Sequence, residues 1–398
     1  MKRWIVAVVA LGMLSGCVQQ GKTAQEEALK RWSVARSDVL RGLTSEYLKV
    51  GQLDSAAKAA KEALTLSPDC ADARVLLAKV NIEQGQYEDA ARELKVVREA
   101  RPSDPGVHYL LGVAREKNQE LELALASYRE ALSCAPTYTD AIVAIGEVLA
   151  EMQQPADALA YVEENLPSSP NHPGMYELAG RLAMMVTDYD KAERYYQSAH
   201  NLDYQNSCYL EALAQAQFSA GHYDRAAASL QELIAAPQYA DRAGVHRMLG
   251  ECLLVLGRPQ EAYGAWCRAT ELDPGVPGSW QGLARAALSQ GDFYRAISAA
   301  REAVALAPQD IETAMVLGYA LLRNGQADQA LTVLGAVSAA HPKDATLKCL
   351  LGRAYAAEGR NDKARRCYVD AVQAEPDNVV ALELLAQSPP LKSAAELE

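Results

Sequence analysis

The sequence predicts an all-α fold, an α-solenoid of about ten stacked helical hairpins, and three rows of residues carry that prediction. Proline recurs every 34 residues, at Pro68, Pro102, Pro136 and Pro170 and again at Pro274, Pro308, Pro342 and Pro376. Alanine keeps the same period from Ala56 through Ala90, Ala124, Ala158, Ala192 and Ala226, and then from Ala262 through Ala296, Ala330 and Ala364, with one step of 36 between the two sets. Five residues before that alanine, glycine stands in seven repeats, at Gly51, Gly85, Gly221, Gly257, Gly291, Gly325 and Gly359. Each unit therefore reads as a helix, a glycine turn that needs unusual backbone angles, a second helix, and a proline break.

Counted from these rows, the repeats span residues 37–378 and begin at Ser37, Ala71, Pro105, Thr139, Pro173, Ser207, Ala243, Pro277, Ile311 and Ala345. At the eighth position of nine repeats lies a small residue: Ala78, Gly112, Gly146, Gly180, Ala214, Gly250, Ala284, Gly318 and Gly352. A glycine inside a helix costs about 1 kcal/mol against alanine, so it needs a packing reason. The eighth and twentieth positions should lie almost level across the hairpin, and small side chains at both would let the helix axes approach. Leucines at position seven of most repeats, with Tyr128, Tyr196, Trp266 and Tyr368 on the second helices, then fill the core and do not form a ligand cage.

Four departures qualify the pattern. Gln119, Gln153 and Thr187 stand where the turn glycine belongs, and residues 234–243 carry Pro237 and two extra residues. A bend is expected at that junction, separating repeats one to six from seven to ten. Both ends read as capped: Thr23 with Glu26 forms a capping-box pattern ahead of an extended first helix, and Val379, Leu382, Leu385 and Ala386 fit a capping helix before Pro389-Pro390, with residues 379–398 as cap and tail.

This pattern resembles the tetratricopeptide repeat, and residues 345–378 match it best, with Leu351, Gly352, Tyr355, Gly359, Ala364, Tyr368, Ala371 and Pro376. The resemblance implies a right-handed superhelix whose first helices line a concave, protein-binding face, exposed at positions two, five, nine, twelve and thirteen. Position twelve is apolar nearly throughout. In the middle of the chain Met184, Met185, Phe218, Leu254 and Val255 form a candidate apolar cluster, flanked by Arg181, Glu211, Arg247 and Glu251. That groove suits a partner protein's helix or extended segment with apolar anchors. The Lys and Asn pair of chaperone-binding family members is missing from it.

The first residues carry a different message. Lys2 and Arg3 precede an apolar run from Trp4 to Met13, which ends in Leu14-Ser15-Gly16-Cys17. The run is short for a membrane span. It resembles a lipoprotein leader, which implies cleavage of residues 1–16 and a lipid on Cys17, so that residues 17–36 form a lipid-anchored segment running into the first helix. Val18 is not the aspartate that resembles an inner-membrane retention signal, which favours the outer membrane, facing the periplasm.

Chemistry is sparse. The formal charge of -12 makes nucleic acid a poor partner. No sequence remains for a catalytic domain, no histidine pair or C-x-x-C has metal spacing, and no Gly-rich phosphate loop occurs, so neither enzyme activity, nor a metal, nor a cofactor is expected. Cys349 and Cys367, at positions five and twenty-three, should face each other across their hairpin and are the expected disulfide, whereas Cys252 and Cys267 are offset. The function expected is a lipid-anchored scaffold of the bacterial envelope that aids assembly of a complex such as a pilus or secretion machine, in which it resembles pilotins and pilus accessory lipoproteins. A periplasmic scaffold for exopolysaccharide synthesis and export is the alternative, and a hydrolase at the repeat-six junction the remote one, for want of convergent polar side chains.

Overall fold

The computed structural model describes residues 2–389, with side chains from Gln25 onward except that of Glu26. Among the described residues there are helices and no strand. The side chains of Cys17 and of the Thr23 and Glu26 pair lie outside the described residues. The helix itself runs unbroken from Lys2 to Lys49, so it does not begin at Thr23. No helix among the described residues is long and apolar enough to cross a membrane.

The chain divides into two compact units, residues 1–187 and 188–398. In the first unit the helix Lys2–Lys49 turns into Leu53–Leu66, and the hairpins Ala71–Glu83 with Tyr87–Ala100, Pro105–Lys117 with Leu121–Cys134, and Thr139–Glu151 with Pro155–Asn165 follow, ending on Pro173–Met185. In the second unit Tyr189–Leu202 is followed by the hairpins Ser207–Ser219 with Tyr223–Ala235, Ala243–Val255 with Pro259–Leu272, Pro277–Ser289 with Phe293–Leu306, Ile311–Arg323 with Ala327–Ser338, and Ala345–Ala357 with Asn361–Ala374, and then by the helix Val379–Gln387. The first helices of repeats two to ten begin at the residues from which the spacing counts its units.

The division falls in the turn of repeat five, and the 234–243 junction lies within the second unit. There the extra residues are absorbed as a one-turn helix, Pro237–Ala240. Tyr239 is buried and donates its hydroxyl to Glu211 Oε2 at 2.9 Å, while Arg242 stacks 4.2 Å over the Tyr239 ring and donates to both Glu211 oxygens at 3.2 Å. The insertion thus carries its own anchor, an aromatic core residue clamped by an ion pair.

All ten turns adopt one conformation. The fifteenth residue of every repeat has positive φ, and this includes Gln119 (62°), Gln153 (62°) and Thr187 (60°), where glycine is missing. The bonds that impose it are the same in both kinds of turn. Gly85 N–H donates to Ile82 O at 3.0 Å and Gln86 N–H to Asn81 O at 2.7 Å; Gln119 and Glu120 donate equivalently to Glu116 O and Arg115 O, each at 2.9 Å. The hydrogen bonding of the helix C-terminus fixes the turn, and the non-glycine residues carry the strain.

The small residues at position eight serve a different neighbour from the one expected. A Cβ added at Gly250 would come within 2.6 Å of the Trp266 indole, and one at Gly146 within 2.8 Å of Val162; at Gly112 and Gly352 it would run into the rings of Tyr128 and Tyr368. The glycine row therefore makes room for the large residue at position twenty-four, not for the alanine at twenty. Trp266 is enclosed from two sides, since a Cβ at Gly282 of the following repeat would strike it as well. The alanines at position twenty are themselves buried, from Ala56 to Ala364.

Candidate functional site

The first helices of repeats six and seven, Ser207–Ser219 and Ala243–Val255, place their fifth and ninth residues on one side, and these line a cavity of about 880 Å³ in the second unit. Its apolar wall is Phe218, Leu230, Leu233, Val245, Met248, Trp266 and Val276, and its polar groups are Glu211, Gln215, Arg242, Arg247 and Glu251. Room for it comes from Gly244 and Gly278, which hold position two of repeats seven and eight: a Cβ at Gly278 would meet nothing within 4 Å.

Charge in the cavity is unevenly satisfied. Glu211 is committed to Tyr239 and Arg242; burial first, and the bond to Glu211 second, push the Tyr239 phenol up. Glu251 receives Arg285 at 3.4 Å. Arg247, half-buried, has no hydrogen bond, ion pair or ring contact among the described residues. An unpaired guanidinium beside an apolar pocket is a site for an anionic group carried next to an apolar anchor.

Of the residues singled out from the sequence, Glu211, Phe218, Arg247 and Glu251 come together at this cavity. Leu254 and Val255 lie one turn beyond Glu251 and do not line it, and Val255 is exposed. Arg181, Met184 and Met185 belong to the first unit, where Arg181 pairs with Glu147 at 3.0 Å and Glu177 at 3.5 Å and Met185 is exposed. The cavity missed from the sequence is the part built by Arg242 from the insertion and by Met248, Trp266 and Val276. The two position-two glycines were the signal for it. The first unit has a smaller groove of about 610 Å³, lined by Leu48, Ile82, Tyr109 and Val113 with Lys49, Lys79 and Glu83.

Histidines have structural tasks. His108 and His246, at position four, bond through Nε2 to the carbonyls of Pro102 (2.7 Å) and Ala240 (2.9 Å), six residues earlier. Arg74 and Trp280 make the same clip to Pro68 and Pro274, so in these four repeats position four ties the first helix to the loop before it. His222 instead joins Asp190 and Glu193, whose ligand atoms fall within 4.8 Å of one another, a grouping that could hold a metal ion and that no sequence spacing displays because it spans two helices. Glu193 is already saturated: its Oε1 accepts from Arg225 at 3.1 Å and Gln217 at 3.3 Å, and its Oε2 from His222 Nδ1 at 2.7 Å. A cation would have to displace these donors. Burial alone would raise the Glu193 carboxyl, but the bonds from His222, Arg225 and Gln217 outweigh it and hold the group below its ordinary value. The stabilisation is therefore present above the unfolded value of 4.5 and lost as the pH falls through the lowered folded value. Thermal melts of wild type and Glu193→Gln should differ at neutral pH and converge in acid below 4.5; a gap that stays constant would assign the effect to packing.

The pair expected to form a disulfide stands unbridged in this structure. Cys349 and Cys367 are free thiols, as are Cys70, Cys134, Cys208, Cys252 and Cys267. Burial, more than any neighbouring charge, raises the thiol pKa of both Cys349 and Cys367.

Family models described as "Tetratricopeptide repeat" match residues 47–113, 287–354 and 321–388, residues 211–277, and residues 105–138. The chain belongs to the tetratricopeptide repeat family. It is a helical repeat scaffold of the kind that mediates protein–protein interactions. Its sequence is 22% identical to tetratricopeptide repeat protein 21B of Mus musculus over 311 residues, 71% of this chain and 23% of that protein. The chain spans about a quarter of the length of the curated relatives it matches. Among solved structures it is similar to the pilF protein of Pseudomonas aeruginosa, at 23% identity and a TM-score of 0.44 over 51% of this chain and 92% of that one. A tetratricopeptide repeat protein of Parabacteroides merdae shares 17% identity at a TM-score of 0.43, over 63% of this chain and 99% of that one.

Proposed function

We propose that this repeat protein is a lipid-anchored scaffold of the bacterial envelope, held at the outer membrane through Cys17 and facing the periplasm, which aids assembly of a multiprotein complex such as a pilus or secretion machine. Its partner docks a segment into the cavity of repeats six to eight. The observation that carries the reading is the unpaired Arg247 beside the apolar wall of Phe218, Val245 and Met248. The leader pattern that ends at Cys17 supports the anchoring.

A photoreactive residue in place of Met248, in the full chain in envelopes, identifies the partner segment, and its affinity is then measured against variants. Arg247→Glu should weaken binding by about tenfold or more, because a charge-assisted hydrogen bond is replaced by repulsion. Gly278→Leu should block the cavity, and its added side chain should not lower stability, since glycine is a weak helix former. Unchanged affinity in both variants would remove the cavity as the docking site, and a Cys17→Ser chain that still sediments with membranes would remove the anchor.

A further inference from the structure

The outer face of the first helix is open where every later repeat is closed. Positions three, seven and ten of the first helices pack against the preceding repeat: Ala73, Leu77 and Val80 are buried, as are Val107, Leu111 and Ala114, and Val245, Leu249 and Cys252. In repeat one the same positions are Val39, Leu43 and Glu46, with Val39 64% and Leu43 42% exposed. Among the described residues, this face of repeat one is thus uncovered.

The open stripe continues beyond these positions. Trp32, Arg36, Val39, Leu43, Glu46 and Val50 follow one another at alternating steps of four and three, and all six are exposed. That is the spacing of a coiled-coil seam. Gly42 beside it sits in mid-helix with nothing within 4 Å of where a Cβ would stand. No contact within the chain compensates for a glycine there.

We propose that this face binds a second copy of the same chain, as an antiparallel helix pair with its two-fold axis beside Arg41. The stripe is self-complementary about that point. Val39 meets the partner's Leu43, Trp32 meets the partner's Val50, and Arg36 meets the partner's Glu46. Each symmetric layer joins an a-type to a d-type position, as an antiparallel pair requires, and the contact is isologous. A parallel pair would instead set Arg36 on the partner's Arg36 and Glu46 on the partner's Glu46, opposing like charges in the seam. Gly42, next to the axis, is where the two backbones come closest. Within one chain Arg36 reaches Glu62 and stacks on Trp32, and Glu46 reaches Lys49; these are exposed pairs that exchange at little cost.

Sedimentation velocity of the full-length chain in non-ionic detergent, from about 1 to 100 µM, tests this. A concentration-dependent dimer is expected. Leu43→Glu, Arg36→Glu and Glu46→Arg should each raise its dissociation constant at least tenfold, with unchanged melting because all three sites are exposed. Mixing the Arg36→Glu and Glu46→Arg chains should restore a mixed dimer, since each contact then joins opposite charges, and the double swap in one chain should restore a homodimer. A chain monomeric throughout the range, open-ended growth past the dimer, or a dimer that ignores these substitutions would each overturn the proposal.

Discussion

Gly250→Val is expected to destabilise the repeat-seven hairpin by about 2 to 3 kcal/mol. The added Cβ would enter within 2.6 Å of Trp266 Nε1 and 2.8 Å of two ring carbons, and two further methyl groups would follow. Such an overlap is relieved only if the neighbour moves. The indole is confined, because it is 6% exposed and its other side rests on Gly282. Replacing a glycine in a helix would by itself gain less than about 1 kcal/mol, so overpacking decides the sign. Amide hydrogen exchange should localise the loss to Ala243–Val255, Pro259–Leu272 and the neighbouring hairpin, since a solenoid repeat couples mainly to its neighbours. The paired change Gly250→Ala with Trp266→Leu should recover part of it. Full wild-type stability in Gly250→Val would mean that position eight does not face position twenty-four.

The second large effect has the opposite sign. Gln119→Gly, Gln153→Gly and Thr187→Gly together should stabilise the protein by about 2 kcal/mol, because each relieves a left-handed side-chain penalty of about 1 to 2 kcal/mol and loses part of it again to unfolded-chain entropy. The three turns sit 34 residues apart, so their effects should add. Thr187 should respond most, since a β-branched residue tolerates positive φ least. The side chain of Gln119 forfeits only an exposed bond to Glu151 at 3.3 Å. Denaturant melts of the triple variant check this; an unchanged midpoint would mean that the positive φ values carry no strain.

Those turns also show how far the sequence could be read. The fold class was legible from Pro, Ala and Gly rows alone, because in a repeat array each position is tested ten times over. What single positions do was less legible. Glutamine and threonine stand in place of glycine at 119, 153 and 187, yet the carbonyls of the preceding helix impose the same geometry on them. The glycine row was traced to alanine at position twenty, whereas the ring at position twenty-four fills the space, a three-dimensional fact that spacing along two antiparallel helices does not resolve. The candidate site was read in part. Positions five and nine found Glu211, Arg247 and Glu251, but the cavity itself depends on residues without side chains, Gly244 and Gly278, and on Arg242, which the two-residue insertion delivers. Which of these charges is free also could not be read from sequence. Glu211 is spent on Tyr239 and Arg242, and Arg247 is not spent.

Hydrogen–deuterium exchange of the full chain, with and without the segment cross-linked from position 248, tests the central claim most directly. Protection is expected in Ser207–Ser219 and Ala243–Val255, and it should vanish in Arg247→Glu. Protection confined to the second helices, or equal in wild type and Arg247→Glu, would contradict docking in this cavity.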